Sequence, residues 1–266
     1  MSGEPAWIKK MTEWSTAVCD TGDHKINIRG YPLGDLIRNL SFSETLFLTV
    51  RGELPTKGQA RALDAVLCGI VDHAFFTPTT VAARVITSAS AESIIPGIAG
   101  GLLTVGSRTV SPQDTAEIIL YSYNMMKDEG LSMEETARKA IEVWKSEKRM
   151  VPGLGHPLHP TGDPRAIALK EVAQKNGVWG ERADLYEEIH KTFVKMTKKN
   201  IPINIDGMMG TVLTELGFKP KEMAGIAAIS FMPGLIAHTV EESELGGMKI
   251  ALGDYTGVPE RKLPDR

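Results

Sequence analysis

The sequence predicts an all-α chain, and three observations carry that prediction. Apolar residues recur at helical spacing over long stretches, strict apolar–polar alternation is scarce, and one long Ala- and Gly-rich segment is mostly apolar. In chain order, "HKINIRGY" (24–31) is the best candidate for a short hairpin arm. From Lys57 to His73, Ala60, Leu63, Leu67, Ile70 and Val71 fall on one helical face. Ala137, Ala140, Ile141 and Trp144 form a second stripe after Ser132, which reads as a cap with Glu135 three residues on. Leu185, Ile189, Phe193 and Met196 form a third, with Glu and Lys opposite. "PKEMAGIAAISFMPGLIAHTVEE" (220–242) is expected to lie deep in the core. Phe75 to Thr80 and Val151 to Asp163 break the pattern and read as loops, where functional groups gather.

A chain of 266 residues is long enough for one large domain or two small ones. Its 42% hydrophobic and 24% charged content suits a sizeable core under an ordinary soluble surface. A net charge of −3 offers no electrostatic case for nucleic acid, which favours a concentrated basic face. No apolar run reaches the ~18 residues of a spanning helix, so no membrane partner is expected. "MSGEPAWIKKMTEW" carries acids and no apolar h-region, unlike a signal peptide. Cys19 and Cys68 are too few for a disulfide framework or a metal cage, and read as thiols in a reducing cytoplasm. There is no repeat, low-complexity tract or long linker.

The most heavily punctuated stretch is "VPGLGHPLHPTGDPRA", Val151 to Ala166, with three Gly, four Pro and two His. Its prolines remove backbone donors and its glycines free the chain to approach a ligand. Among the six histidines, His156 stands out, flanked by Gly155 and Pro157 on that loop. His190 sits on a charged helix face and reads as solvated, and His24 carries no specific signal. For His73, capping and ligand binding stand level. For His238, within an apolar helix, a hydrogen-bonded core imidazole is the favoured reading over a functional one. Asp206, in "IPINIDGMMG", is either a helix N-cap or a carboxyl raised by apolar surroundings and fit for acid–base work, and the two stand even. No phosphate loop, dinucleotide fingerprint or G-x-S-x-G elbow is present, and "GHPLH" lacks the further ligands of a metal site, so no metal is expected. These residues outline a helical, enzyme-like core with His and Asp on loops, and no reaction.

"GLGHPLHPTGDPRA" resembles the citrate synthase signature G-[FLIY]-G-H-x-V-Y-K-x-x-D-P-R. In family order, "NIRGYPLGDLIRNLSFSETLFLTVRGELPT", "DHAFFTPTTVAARVITS", "NIDGMMG", "GLIAHTVEE" and "DYTGVPER" resemble further family segments. The chain is shorter than an ordinary citrate synthase, and "GGLLTVGSR" resembles the citryl-CoA lyase module of ATP-citrate lyase. Stand-alone citryl-CoA lyases are thus the nearest subfamily. The resemblance implies a citrate synthase-like helical fold spanning 1–266 as one catalytic unit, with a large helical core and a small CoA-binding helical region within 113–200.

The resemblance also implies roles. His73 lines the pocket of the oxaloacetate-like portion, Val151, Pro152, Gly153, Leu154 and Gly155 wrap the CoA adenine, and Arg165 pairs with a carboxylate. His156 hydrogen-bonds the hydroxyl or carbonyl oxygen, Asp206 handles the α-proton of the acetyl thioester, and His238 holds a catalytic position. The implied reaction is cleavage of citryl-CoA, or a related 3-hydroxyacyl-CoA, to acetyl-CoA and oxaloacetate or another carbonyl product. No tightly bound cofactor is implied beyond the coenzyme A thioester itself, and the implied assembly is a cytoplasmic homodimer or homotetramer. Departures bear on the substrate. Thr109 falls where synthases place the His of G-P-L-H-G-G, Phe231 where many members have Arg, and "IALGDY" where they have Arg-Pro-Arg before the Tyr. Phe231, Met232 and Met248 suit a less acidic substrate portion, unless Arg84 or Arg261 replaces the lost cations. The alternatives are a condensing synthase, a retro-aldol lyase for a less acidic hydroxyacyl-CoA, and a non-catalytic CoA-binding subunit.

Overall fold

The computed structural model describes residues 14–106, 109–250 and 253–264. The leader reading of the first residues and Arg108 of "GGLLTVGSR" lie outside that range. Among the described residues eleven α-helices dominate, with one small antiparallel sheet, as the all-α reading requires. The chain divides into two compact units, Met1–Val71 with Gly106–Phe231, and Asp72–Val105 with Met232–Arg266. The stretch 113–200 lies wholly within the larger one.

The larger unit begins with β1 (Cys19–Gly22), β2 (Lys25–Ile28) and β3 (Tyr31–Pro32). Ile28 pairs with Tyr31 across the two-residue turn Arg29–Gly30, whose φ values of 50° and 89° match the twist that such hairpins favour. The expected hairpin is therefore present, with one strand more than the sequence pattern suggested. Helices α1 (Leu33–Asn39), α2 (Phe42–Arg51) and α3 (Lys57–Cys68) follow. Reciprocal capping boxes, Ser41 with Glu44 and Thr56 with Gln59, start α2 and α3 by satisfying backbone donors at both ends of the first turn. Helix α3 ends five residues before the expected His73. Its buried face is Ala60, Ala62, Leu63 and Val66, while Val71 is exposed.

Helices α4 (Pro78–Ala89) and α5 (Ile95–Leu102) belong to the smaller unit. The sequence placed Phe75 to Thr80 in a loop, and the structure corrects this. A 3₁₀ turn covers Ala74–Phe76, Thr77 caps α4 by accepting the Thr79 N–H, and Pro78 occupies the first helical turn, where its missing donor costs nothing. Glycines on α5 set its distance from α4. A Cβ on Gly97 would sit 2.7 Å from the Ala83 carbonyl oxygen, and one on Gly101 2.9 Å from that of Thr79.

The larger unit resumes with α6 (Pro112–Glu129), α7 (Met133–Ser146), α8 (Pro164–Lys175), α9 (Glu181–Thr197) and α10 (Ile205–Glu215). Ser132 and Glu135 form the expected capping box of α7. Its stripe Ala137, Ile141 and Trp144 joins Ile118, Leu185, Tyr186, Ile189 and Val151 in one buried cluster. Met196, the last residue of the α9 stripe, is exposed. Helix α10 is buried from Gly207 to Thr214 and packs against α3, α6, α8 and α9.

Helix α11 (Pro220–Leu245) crosses the division between the units at Phe231–Met232, one residue before Pro233. Contrary to the count of apolar runs, α11 is long and apolar enough to cross a membrane, with a mean hydropathy of 1.6 over its best window. Its Met223, Ile226, Ala227, Phe231 and Leu235 are buried inside protein, the arrangement of a core helix. Ile236 and Val240 are exposed, so the segment is less uniformly buried than its composition suggested.

Candidate active site

The loop that opens at Val151 is irregular, as expected, yet it is firmly held. The buried Tyr186 hydroxyl donates to the Pro152 carbonyl at 2.7 Å. The Asn204 backbone N–H donates to the Gly153 carbonyl at 2.9 Å, and its side-chain amide to that of Gly155 at 2.7 Å. The Gly155 N–H donates to the Pro202 carbonyl at 2.8 Å, and Leu154 forms a bridge with Ile203. Only glycine serves at position 153. Its φ is +76°, and a Cβ there would lie 2.3 Å from the Gly207 Cα and 2.4 Å from the Tyr186 hydroxyl. The proposed CoA-wrapping segment is thereby stapled to the chain entering α10.

Asp163 joins the two helices that carry the remaining candidates of this unit. It caps α8, its Oδ1 accepting both the Arg165 backbone N–H and Nε at 3.0 Å. Its Oδ2 accepts from Arg165 Nη2 at 2.8 Å and from the Ile205 N–H of α10 at 2.9 Å. Burial pushes this carboxyl up, but the Arg165 guanidinium and the two backbone N–H groups outweigh it and hold the pKa below the usual range.

Asn204, not Asp206, caps α10, accepting the Gly207 N–H at 3.0 Å. That removes the capping reading of Asp206, which is the second residue of the helix. Its carboxyl keeps some solvent exposure but is packed on nearly every side, and the packing governs its charge. Burial pushes its pKa up to about 7, against a Ser111 backbone hydrogen bond and the Arg165 charge, while Asp163 and Asp114 push the same way as burial. Both protonation states are then accessible near neutral pH. On the loop, His156 accepts the Leu158 N–H at Nδ1 (3.1 Å), and its ring stacks on that of His159 at 4.7 Å.

The smaller unit holds the other two histidines. Half-buried His73 precedes the 3₁₀ turn, its ring 5.5 Å from that of Phe76. His238 lies on α11, with Nε2 3.0 Å from Asp72 Oδ1 and Nδ1 3.3 Å from Arg84 Nη1. Arg84 is buried, donates from Nε to Glu242 at 2.6 Å and from Nη1 to Glu241, and lies over the Phe75 ring. Two carboxylates therefore already answer Arg84, which weakens its case as the replacement for a lost substrate-binding cation. Arg261 is exposed on the C-terminal tail, and Phe231 is buried on α11. His190 is not the solvated residue its helix face suggested, because its Nε2 donates to the Ile201 carbonyl at 2.8 Å.

Sequence reading did not single out Asp163, Tyr186, Asn204 or Asp72. Asp-Pro-Arg at a helix start does signal an N-cap followed by Pro, and Asn two residues before Asp206 signals another. For Tyr186 and Asp72 no local signal exists, since their partners are distant in sequence.

The chain belongs to the citrate synthase family. The family model for the citrate synthase C-terminal domain matches residues 55–250. Among sequence relatives, citrate synthase 2 of Bacillus subtilis is 26% identical over 83% of this chain and 57% of its own length. The chain thus spans less than two thirds of such curated relatives. Among solved structures, citryl-CoA lyase from Hydrogenobacter thermophilus is 30% identical with a TM-score of 0.84, covering 94% of this chain and 97% of that one. ATP citrate lyase from Methanothrix soehngenii, solved with citrate and coenzyme A, shares the fold at 20% identity and a TM-score of 0.78, over 94% of this chain and 42% of its own.

Proposed function

We propose that this protein is a carbon–carbon lyase that cleaves citryl-CoA to acetyl-CoA and oxaloacetate. The observation that carries the reading is Asp206, a carboxyl raised to about 7 at the start of a buried helix, stapled beside a pre-organised glycine loop. Similarity in sequence, fold and length to the Hydrogenobacter citryl-CoA lyase supports the choice of substrate.

In the proposed reaction the 3-hydroxyl proton passes to an imidazole, assigned to His156, as the bond between the hydroxyl-bearing carbon and the acetyl carbon breaks. The bonding pair becomes the acetyl-CoA enolate, the oxygen-bearing carbon becomes the oxaloacetate carbonyl, and protonated Asp206 delivers a proton to the enolate carbon. Each positioned proton transfer contributes ~10²–10⁴-fold. Residues 151–155 receive CoA, Arg165 pairs with a substrate carboxylate while keeping Asp163 as its anchor, and His73, His238 and Phe231 keep the positions the resemblance implies. Thr109, hydrogen-bonded to Gly106 rather than offering an imidazole, favours cleavage over condensation. The same reading places the protein in the cytoplasm as a homodimer or homotetramer, which light scattering of the purified protein tests.

A second reading, a retro-aldol lyase for a less anionic hydroxyacyl-CoA, is favoured by Arg84 being matched by Glu241 and Glu242 and by Phe231 at an expected arginine position. Mass spectrometry of purified protein mixed with citryl-CoA decides between them. Prompt acetyl-CoA and oxaloacetate from the wild type, and not from Asp206→Asn, is the expected outcome. Intact citryl-CoA, with cleavage of hydroxyacyl-CoAs bearing neutral or aromatic β-substituents, selects the second reading.

A further inference from the structure

Arg84 does more in the smaller unit than neutralise two glutamates. A guanidinium has N–H donors and no acceptor, so its 3.3 Å contact makes His238 Nδ1 the acceptor. The neutral ring then carries its proton on Nε2, where Asp72 accepts it at 3.0 Å. The two sides of the ring differ in firmness. Arg84 is anchored by Glu242, which is 1% exposed and also lies 3.6 Å from Lys249, while its other partner, Glu241, is 61% exposed and has its Oε2 3.8 Å from Nδ1. Asp72 is a surface residue with 42% of its side chain exposed. The charged groups facing His238 are therefore a buried Arg84–Glu242 pair with the exposed Glu241 on the Nδ1 side, and one replaceable carboxylate at Nε2. A ligand oxygen reaching this ring exchanges with Asp72, and it meets an N–H.

We propose that Arg84 is a positioning residue that commits His238 to the Nε2–H tautomer, so that His238 serves a bound acyl-CoA as a hydrogen-bond donor to a substrate oxygen, with Asp72 holding that N–H until the oxygen replaces it. The inference rests on the placing of His238 in the reaction above and gives it a role distinct from proton removal. A donor aimed at an oxygen that gains negative charge strengthens as the charge develops. A ring whose Nδ1 is already filled by a cation is poorly arranged to act as a base from that side.

Two measurements on the full chain test this. The first is two-bond 1H–15N correlation of the ring-labelled histidines, with His238 assigned by its loss in His238→Gln. The Nε2–H pattern is expected in the wild type and in Asp72→Ala, and is expected to disappear or become mixed in Arg84→Met, which keeps much of the side chain's bulk but removes every N–H donor. An Nδ1–H or doubly protonated ring in the wild type, or an unchanged pattern in a folded Arg84→Met, overturns the positioning role. The second is turnover of citryl-CoA by His238→Ala and His238→Gln. Removing one donor is expected to lower kcat ~10²-fold. Gln, whose amide N–H stands in for Nε2–H, is expected to restore at least about tenfold of that loss with little change in KM. Equal loss in both variants overturns the donor role. Wild-type turnover in His238→Ala removes His238 from the reaction, whereas a wild-type protein inert on citryl-CoA defeats the citryl-CoA reading and leaves the spectra to decide the tautomer.

Discussion

A carboxyl that titrates near pH 7 is useful for moving a proton to or from carbon, because neither charge state is scarce where the enzyme works. Asp206 reaches that condition by burial, and burial carries a stability consequence of definite sign. Its folded pKa lies above its unfolded one, so the favourable contribution is fully present below the unfolded value of 3.8 and is lost as pH rises toward about 7. Asp206→Asn, neutral at every pH, is therefore expected to gain stability over the wild type between pH 5 and 8, by up to roughly 4 kcal/mol at the alkaline end. Parallel thermal melts across that range check it, and a pH-independent difference would count against a raised pKa. In the cleavage direction the protonated form is needed, so kcat is expected to fall above pH about 7, and Asp206→Asn to lose at least ~10²-fold in turnover. A rate that instead rises through that range would mark Asp206 as the base of a condensing enzyme.

Helices α8 and α10 begin at one buried carboxylate. Asp163 caps the first, holds the Arg165 side chain, and receives the Ile205 N–H of the second. One residue therefore orders the proposed carboxylate-binding cation and the segment leading into Asp206. Asp163→Asn keeps the size but removes the charge, and is expected to cost about 1–3 kcal/mol, the range for a lost charge-assisted hydrogen bond in the interior. Because the folded pKa of Asp163 is lowered, its contribution is present above the unfolded value of 3.8 and disappears as pH falls below it. The Asn variant is thus expected to flatten the acid limb of the stability curve, measured by urea melts from pH 2 to 6. Gly153 is the second joint between the loop and α10. Gly153→Ala drives a methyl group into Gly207 and Tyr186 at a left-handed backbone position, with an expected loss of about 1–3 kcal/mol.

For the molecule as a whole, ligand linkage ties these local features to function. If residues 151–155 receive CoA, free CoA at about 100 times its Kd stabilises the folded protein by about 2.7 kcal/mol. A rise in Tm on adding CoA is expected for the wild type and for Asp206→Asn, which keeps the loop, and is expected to be absent in Gly153→Ala. A thermal shift in Gly153→Ala equal to that of the wild type would take the CoA assignment away from this loop.

Much of the helical architecture could be read from local pattern. The stripe of α7 and its Ser132–Glu135 box, the hairpin at Arg29–Gly30 and the loop from Val151 depend on residues within a few positions of one another, where periodicity, capping and turn chemistry operate. The order of motifs along the chain identified the family for a similar reason, since side-chain types at set spacing survive in one dimension. Local pattern failed where a partner that periodicity does not register, near or distant in sequence, outweighed it. Pro78 looked like a loop residue until Thr77 capped α4, and Asp206 looked as much like a cap as an acid until Asn204 took the cap. His190 looked solvated until it found the Ile201 carbonyl, and α11 looked uniformly buried until packing left one face uncovered. Charge state, tautomer and pairing belong to that second class. The carboxyl of Asp206, the anchoring of Arg165 by Asp163 and the ring proton of His238 are set by desolvation and by hydrogen-bond partners as far as 166 residues away, which only folding brings within 3 Å.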